Sequence, residues 1–214
     1  MDVRYESRQP AARRALISLH IRVVSLAMLC ALGAYVSAAE ERPASATVEK
    51  LQAALLDSMK NAKALGEQGS YEKLKPVVEE VHDFPYIMRA VLGSSASQLT
   101  PEQFKQAAAA YADGSARIYA HEFNSYSGEH FVILEEKPQP RDTRLVRSVL
   151  QSPGNPDVHF DYLLRQSDGQ WRIVNTTAEG VSQLAMDRSQ AQSALKQGGF
   201  DGLMGWIQGR VPKE

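Results

Sequence analysis

The sequence predicts an α+β domain in which a curved antiparallel sheet of about four strands is covered by helices from both ends of the chain. Three observations carry this. The apolar pattern has helical period from residue 43 to 123, strand period from 129 to 177, and helical period again from 181 to 208. Short turn-forming stretches separate the strand patterns, as between consecutive antiparallel strands and unlike the helical crossovers of a parallel sheet. No internal repeat or low-complexity tract interrupts the series.

The first segment stands apart from that domain. Arg4, Arg8, Arg13, Arg14 and Arg22 precede or border an uncharged run, Val23 to Ala39, that ends in small residues. Basic head, short apolar centre and A-x-A-like end describe a secretory signal peptide over residues 1–39, with residues 40–214 as one domain. The apolar run is short of the ~20 residues that span a bilayer. Cys30, the only cysteine, lies in this leader, so disulfides, thiolate-bound zinc and thiol catalysis are excluded from the domain. Five arginines against Asp2 and Glu6 give the leader +3, and the whole-chain charge of −1 leaves −4 for the domain. A mildly acidic domain with interspersed signs is a poor match to nucleic acid.

Pro43 to Gly66 reads as an amphipathic helix, with Val48, Leu51, Leu55, Met59, Ala62 and Leu65 near one face. Gly66 and Gly69 predict a break, after which Ser70 caps a second helix carrying Tyr71, Leu74, Val77, Val78 and Val81. Pro76 lies inside that pattern and predicts a kink or a late start. A short helix, Tyr86 to Leu92, stops at Gly93. Thr100-Pro101-Glu102-Gln103 is a capping box with proline at the first helical position, opening a helix to about Phe123.

Strand patterns follow at Glu129–Glu135, with Phe131 and Ile133 opposite Val132 and Leu134, and at Thr143–Gln151. Two more, Val158–Arg165 and Gln170–Thr177, flank Ser167-Asp168-Gly169, whose Asp-Gly pair signals a tight hairpin. In this ribbon Val158, Phe160, Tyr162 and Leu164 share one face, and His159, Asp161, Leu163 and Arg165 the other. Trp171 and Ile173 alternate with Arg172 and Val174. After Glu179-Gly180 a helix runs from Val181 to Lys196, Gly198-Gly199 breaks it, and Phe200 to Gln208 forms the last one.

An ordered series of short motifs runs through these elements: Phe84 with Ala90-Val91-Leu92-Gly93, Leu99-Thr100-Pro101-Glu102-Gln103-Phe104, Tyr126-Ser127-Gly128-Glu129 and Asp161-Tyr162. Gly169-Gln170-Trp171-Arg172-Ile173, Glu179-Gly180-Val181-Ser182, Arg188 and Gly199 to Leu203 continue it. In this the chain resembles the MlaC or toluene-tolerance family of periplasmic lipid carriers, over residues 45 to 208. The resemblance implies an exported monomer with a deep apolar pocket between sheet and helices, serving the lipid asymmetry of the outer membrane. It implies phospholipid as ligand, inner- and outer-membrane transport complexes as partners, and no cofactor. The hopanoid-associated HpnM subgroup is similar in sequence and would make the ligand a triterpenoid. The family's usual Phe-Asp is Phe84-Pro85 here, and the Asp usual after the tryptophan strand is Asn175.

A lipid carrier needs an apolar cavity with few polar groups. Tyr162, Leu164, Trp171 and Ile173 on the ribbon are the expected floor, extended across the sheet by Val132, Leu134, Leu145 and Val149. Phe84, Met88, Val91, Phe104, Tyr111, Ile118 and Tyr119 are the expected walls, with Val181 and Leu184 closing one end. Each of these also fits a plain core position. Two other classes compete with the carrier. A small isomerase or hydrolase in a helix-capped cone would use a buried pair such as His159 and Asp161, with His121 and His130 as further candidates. A structural adaptor would have a filled core. No catalytic or metal-ligating residue is expected, because these histidines lack metal-ligand spacing. Arg141, Arg144 and Arg147 read as a solvated face.

Overall fold

A computed structural model describes residues 43–212, so the expected signal peptide lies outside the described residues. Helical periodicity yields α1 (Ala44–Val81), α2 (Phe84–Leu92), α3 (Pro101–Glu122) and α4 (Gln183–Gly209), with a 3-10 segment at Gly93–Gln98. The period-2 runs yield β1 (His130–Gln139), β2 (Thr143–Gln151), β3 (Val158–Ser167) and β4 (Gln170–Ala178), followed by the short β5 (Val181–Ser182). The strands pair antiparallel in chain order, β1-β2-β3-β4-β5, so the curved sheet is a meander. The fifth strand was not expected. Only Thr177↔Ser182 and Ala178↔Val181 form it, and two residues are too few to show a period.

Local chemistry explains the boundaries. Thr100 Oγ1 accepts from the Gln103 amide at 3.2 Å while Gln103 Oε1 accepts from the Thr100 amide at 3.0 Å, which is the predicted capping box. Asp83 Oδ1 accepts from the Tyr86 amide at 3.1 Å, so α2 begins at Phe84, ahead of the expected Tyr86. Pro85 sits in that first turn, where a missing N–H costs nothing. The expected breaks are present as single residues: Gly66 (φ 64°) interrupts α1 and Gly199 (φ 60°) interrupts α4, while the helix resumes on both sides. Pro76 lies within α1 and the backbone there stays helical. Asp168 (φ 52°) and Gly169 (φ 73°) both take positive φ, as a type I′ hairpin requires.

The helices cover one face of the sheet. Gln52 on α1, buried, donates to Ser148 Oγ on β2 at 2.8 Å, and Thr47 donates to the Trp171 carbonyl at 2.9 Å. At the start of α1 the amides of Ala44 and Ser45 both donate to the Glu136 carboxylate on β1, an anion at a helix N-terminus. Leu51, Leu55, Leu74, Met88, Val91, Leu92 and Leu164 are fully buried in the shared core.

The expectation that Val132 and Leu134 face the helices is corrected. Val132 is 36% and Leu134 54% exposed, while Phe131 and Ile133 pack on the core. The register pairs Ile133 with Ser148 and Phe131 with Leu150, and a bulge at Leu134 leaves that residue without a ladder partner. Leu145 and Val149 also belong to the outer face, since they pair with Leu163 and with Val132 and His159. The inward residues of β2 are Val146 and Ser148, opposite Tyr162 and Phe160. A second bulge on β4, between the pairs Leu163↔Asn175 and Leu164↔Ile173, brings both Ile173 and Val174 into the interior.

Candidate functional site

The junction of α1 and α2 is stitched onto the sheet. His82 forms a parallel bridge with Ile173, and the Asp83 amide donates to the Ile173 carbonyl at 3.0 Å. Arg165 on β3 reaches back to Asp83 Oδ2 at 2.7 Å and stacks over Tyr86. Beyond this seam the helical layer leaves the sheet and encloses a cavity of about 460 Å³. Its walls are His82, Phe84 and Ile87 at the seam, and Tyr111, Ser115, Ile118 and Tyr119 on α3. Phe160, Ile173, Val174, Asn175 and Thr176 form the sheet side. Val181, Gln183 and Leu184 lie where β5 passes into α4, and Arg210 stands at the end of α4. Val181 is 55% exposed, so this side of the cavity borders solvent.

Aromatic rings run continuously through the walls and into the core behind them. Tyr111 meets Trp206 and Phe84, Phe84 stacks on His82 at 5.2 Å, and His82 meets Tyr119 at 5.9 Å. Tyr119, Phe123, Phe131, Phe160 and Tyr162 continue the chain at ring separations near 6 Å, a range in which such pairs attract.

The polar groups here are few and mostly satisfied. His82 Nδ1 lies 2.9 Å from the Val78 carbonyl and Nε2 lies 3.4 Å from Tyr119 Oη. Burial pushes its pKa down to about 4, against the opposing pull of the Val78 hydrogen bond. The imidazole is therefore neutral at pH 7, donating through Nδ1 and accepting from Tyr119. Burial also pushes the Tyr111 and Tyr119 hydroxyls up, and pushes Tyr162 up to about 12, so all three stay protonated. On the α4 side Asp187, 2% exposed, accepts from the Tyr111 hydroxyl and from Gln183 Nε2 at 3.0 Å, and forms an ion pair with Arg210 Nη2 at 3.1 Å. The Arg210 guanidinium lies 4.0 Å from the Tyr111 ring centroid.

Of the sequence-predicted site residues, Phe84, Tyr111, Ile118, Tyr119, Ile173, Val181 and Leu184 are brought together in the cavity wall. Met88, Val91 and Leu164 are fully buried in the core, outside the wall. Tyr162 is buried behind it, near Gln52 and Ser148. Phe104 and Trp171 pack on the core elsewhere, beneath Arg89 and Arg144 respectively. Val132, Leu134, Leu145 and Val149 lie on the opposite face of the sheet. Phe160 lies in the wall outside the expected set, and its place on the same strand face as Tyr162 is the signal that marks it. His82, Asn175, Gln183 and Arg210 were invisible to a search for apolar residues.

The acid–base candidates do not meet at the cavity. His159 is exposed on the outer face, and Asp161 pairs there with Arg147 at 3.3 Å. His121 lies 3.6 Å from Glu67 and His130 is exposed. Among the described residues the cavity histidine is His82, whose ring contacts no carboxylate. Asn175 instead serves the backbone: its Oδ1 accepts from Ser182 Oγ at 3.1 Å and from the Leu184 amide at 3.2 Å, fixing the start of α4.

The fold and cavity can be set beside known proteins. No curated protein matches the chain. A solved structure described as a phospholipid-binding protein from Ralstonia solanacearum, in complex with a phospholipid, is similar with a TM-score of 0.69 and 21% sequence identity. That match covers 79% of this chain and 97% of the other, and it shows a shared fold. The family described as MlaC protein matches residues 49–208, from early in α1 to the end of α4. This chain belongs to the MlaC family.

Proposed function

We infer that the protein binds a membrane lipid non-covalently, with the apolar part of the lipid in the cavity between α3, α4 and the sheet. The single observation carrying this reading is that cavity: about 460 Å³, walled by aromatic and aliphatic side chains and open near Val181. A space of this size and lining suits acyl or terpenoid groups, each buried CH₂ contributing ~0.8 kcal/mol. Membership of the MlaC family and the phospholipid held by a protein of the same fold support phospholipid as the ligand. A binding protein, and not an enzyme, fits the separation of His159 and Asp161 from the cavity.

The wider role follows from the same reading. The leader at residues 1–39 directs export, and the mature domain carries lipid as a monomer between inner- and outer-membrane complexes, with no cofactor. The test is native mass spectrometry of the mature protein purified without detergent from the periplasm, followed by organic extraction. A bound mass matching a two-chain phospholipid is expected. A triterpenoid mass would keep the carrier and move it to the hopanoid branch. A bare protein that also refuses added lipid would end the carrier reading.

A further inference from the structure

We propose that the face built by α2, the 3-10 segment and the first half of α4 docks on an anionic phospholipid bilayer, beside the cavity opening. The inference rests on the carrier reading above and adds where the lipid enters and leaves. The two helices pack directly: Gln192 Nε2 on α4 donates to the Val91 and Leu92 carbonyls at the end of α2, both at 3.1 Å. A Cβ at Gly93 would stand 3.1 Å from Arg188 Nη2, so the Arg188 guanidinium lies against this junction. Residues 84–100 and 180–200 therefore form one continuous surface.

The charges on that surface are of one sign. Arg89, Arg188 and Lys196 are exposed, and none of them forms an ion pair among the described residues. The one carboxylate in these two stretches is Asp187, which is buried and paired with Arg210. Exposed carboxylates resume only beyond the ends, at Glu102, Glu179 and Asp201, and on α3 at Glu122. The domain as a whole carries −4, so three unmatched cations on one face depart from its average. The same face bears the exposed apolar side chains Tyr86, Val181 and Met186. Val181 and Leu184 line the cavity, so the apolar end of the face borders its opening. Unpaired cations beside exposed apolar groups make up an interfacial contact, in which the cations meet lipid phosphates and the apolar groups enter the acyl boundary. An acidic protein surface would answer the cations and leave the apolar groups unmatched. A lipid leaving the bilayer here reaches the cavity without its chains crossing water.

The test measures binding of the intact mature protein to vesicles of phosphatidylcholine alone and of three parts phosphatidylcholine to one part phosphatidylglycerol. Each cation at an anionic surface strengthens binding about fivefold, and the −4 of the domain opposes the sum. The expected result is at least about tenfold tighter binding to the phosphatidylglycerol vesicles at about 0.01 M salt. That preference should vanish at about 1 M, where the screening length is about 3 Å. Arg89→Gln/Arg188→Gln/Lys196→Gln should abolish it, and Val181→Ser/Met186→Ser should weaken binding to both vesicles. Lys137→Gln/Arg147→Gln, at exposed positions on the sheet, should leave it unchanged. No binding to phosphatidylglycerol vesicles would overturn the proposal and assign the face to an acidic protein surface. A preference that survives the triple substitution, or that Lys137→Gln/Arg147→Gln removes, would overturn it as well. Labelled phosphatidylglycerol taken up from the same vesicles, read by mass after their removal, reports on the carrier reading separately. Uptake without docking defeats this inference alone; absence of uptake defeats the carrier reading and, with it, the role given to the contact.

Discussion

Replacing Asp187 by Asn leaves the shape of the side chain almost unchanged and removes one charge from the interior. The carboxylate is 2% exposed, accepts from Tyr111 and Gln183, and pairs with the Arg210 cation. Its removal leaves the Arg210 cation buried without a counter-charge, a change that costs about 3–5 kcal/mol. The amide oxygen of Asn can still serve one of the neutral donors, which places the expected cost near 3 kcal/mol. With a urea dependence of about 2 kcal/mol per molar, the unfolding midpoint should drop by roughly 1.5 M. The assay is equilibrium urea unfolding at pH 7, followed by tryptophan fluorescence, since Trp206 stands 6.2 Å from Tyr111 in the same cluster. The double variant Asp187→Asn/Arg210→Gln removes both charges and should regain at least about 1 kcal/mol over the single variant. A midpoint drop below about 0.3 M, or a double variant no more stable than Asp187→Asn, would refute the argument that this pair is a buried, interdependent unit.

Two further outcomes are expected. His82 has a pKa near 4 in the folded protein against an ordinary 6.5, so the unfolded chain binds the extra proton first as pH falls. Its contribution is fully present above about pH 6.5 and is lost toward pH 4, amounting to about 3 kcal/mol over that window. Urea midpoints measured from pH 7 to 4 should show this slope in the wild-type protein and a shallower one in His82→Gln; parallel slopes would assign the acid sensitivity to other groups. Leu164→Ala should cost about 2–5 kcal/mol, since Leu164 is fully buried, whereas Leu134→Ser should stay within about 0.5 kcal/mol. Thermal unfolding of the two variants checks the assignment of sheet faces, and a large loss from Leu134→Ser would reverse it.

The order and type of elements could be read from the sequence because each rests on local chemistry: the Thr100 capping box, the Asp168-Gly169 turn, the glycines at 66 and 199. The sheet faces were harder. In β1 both Phe131/Ile133 and Val132/Leu134 are apolar, so alternation does not say which pair turns inward. The deciding facts are the ladder register with β2 and the bulge at Leu134, both of which depend on a partner strand. The bulge on β4 has the same effect, since strict alternation cannot place Ile173 and Val174 on one side. At the cavity, the aromatic and aliphatic residues of α2, α3 and the β5–α4 junction carried a legible signal. The polar ones did not. Asp187 and Arg210 are 23 positions apart within α4 and meet only because the chain folds back at Gly199, while Tyr111 and Asp187 are 76 apart and meet only once α4 packs on α3. On a helix written out as sequence, each reads as an ordinary solvated residue.

The cavity wall begins at His82 and ends at Arg210, drawing on α2, α3, three strands and both ends of α4 in between. The space therefore has no existence in any one element: it is complete only when these helices and strands are assembled. A ligand that occupies it cannot favour a partly folded form, and its binding energy is coupled to global unfolding. By mass action, a ligand at a hundred times its dissociation constant adds about 2.7 kcal/mol to the stability of the native state. Loading and folding are in this way a single thermodynamic cycle, and the loaded protein is the form best able to resist unfolding and the proteases that act on opened chains.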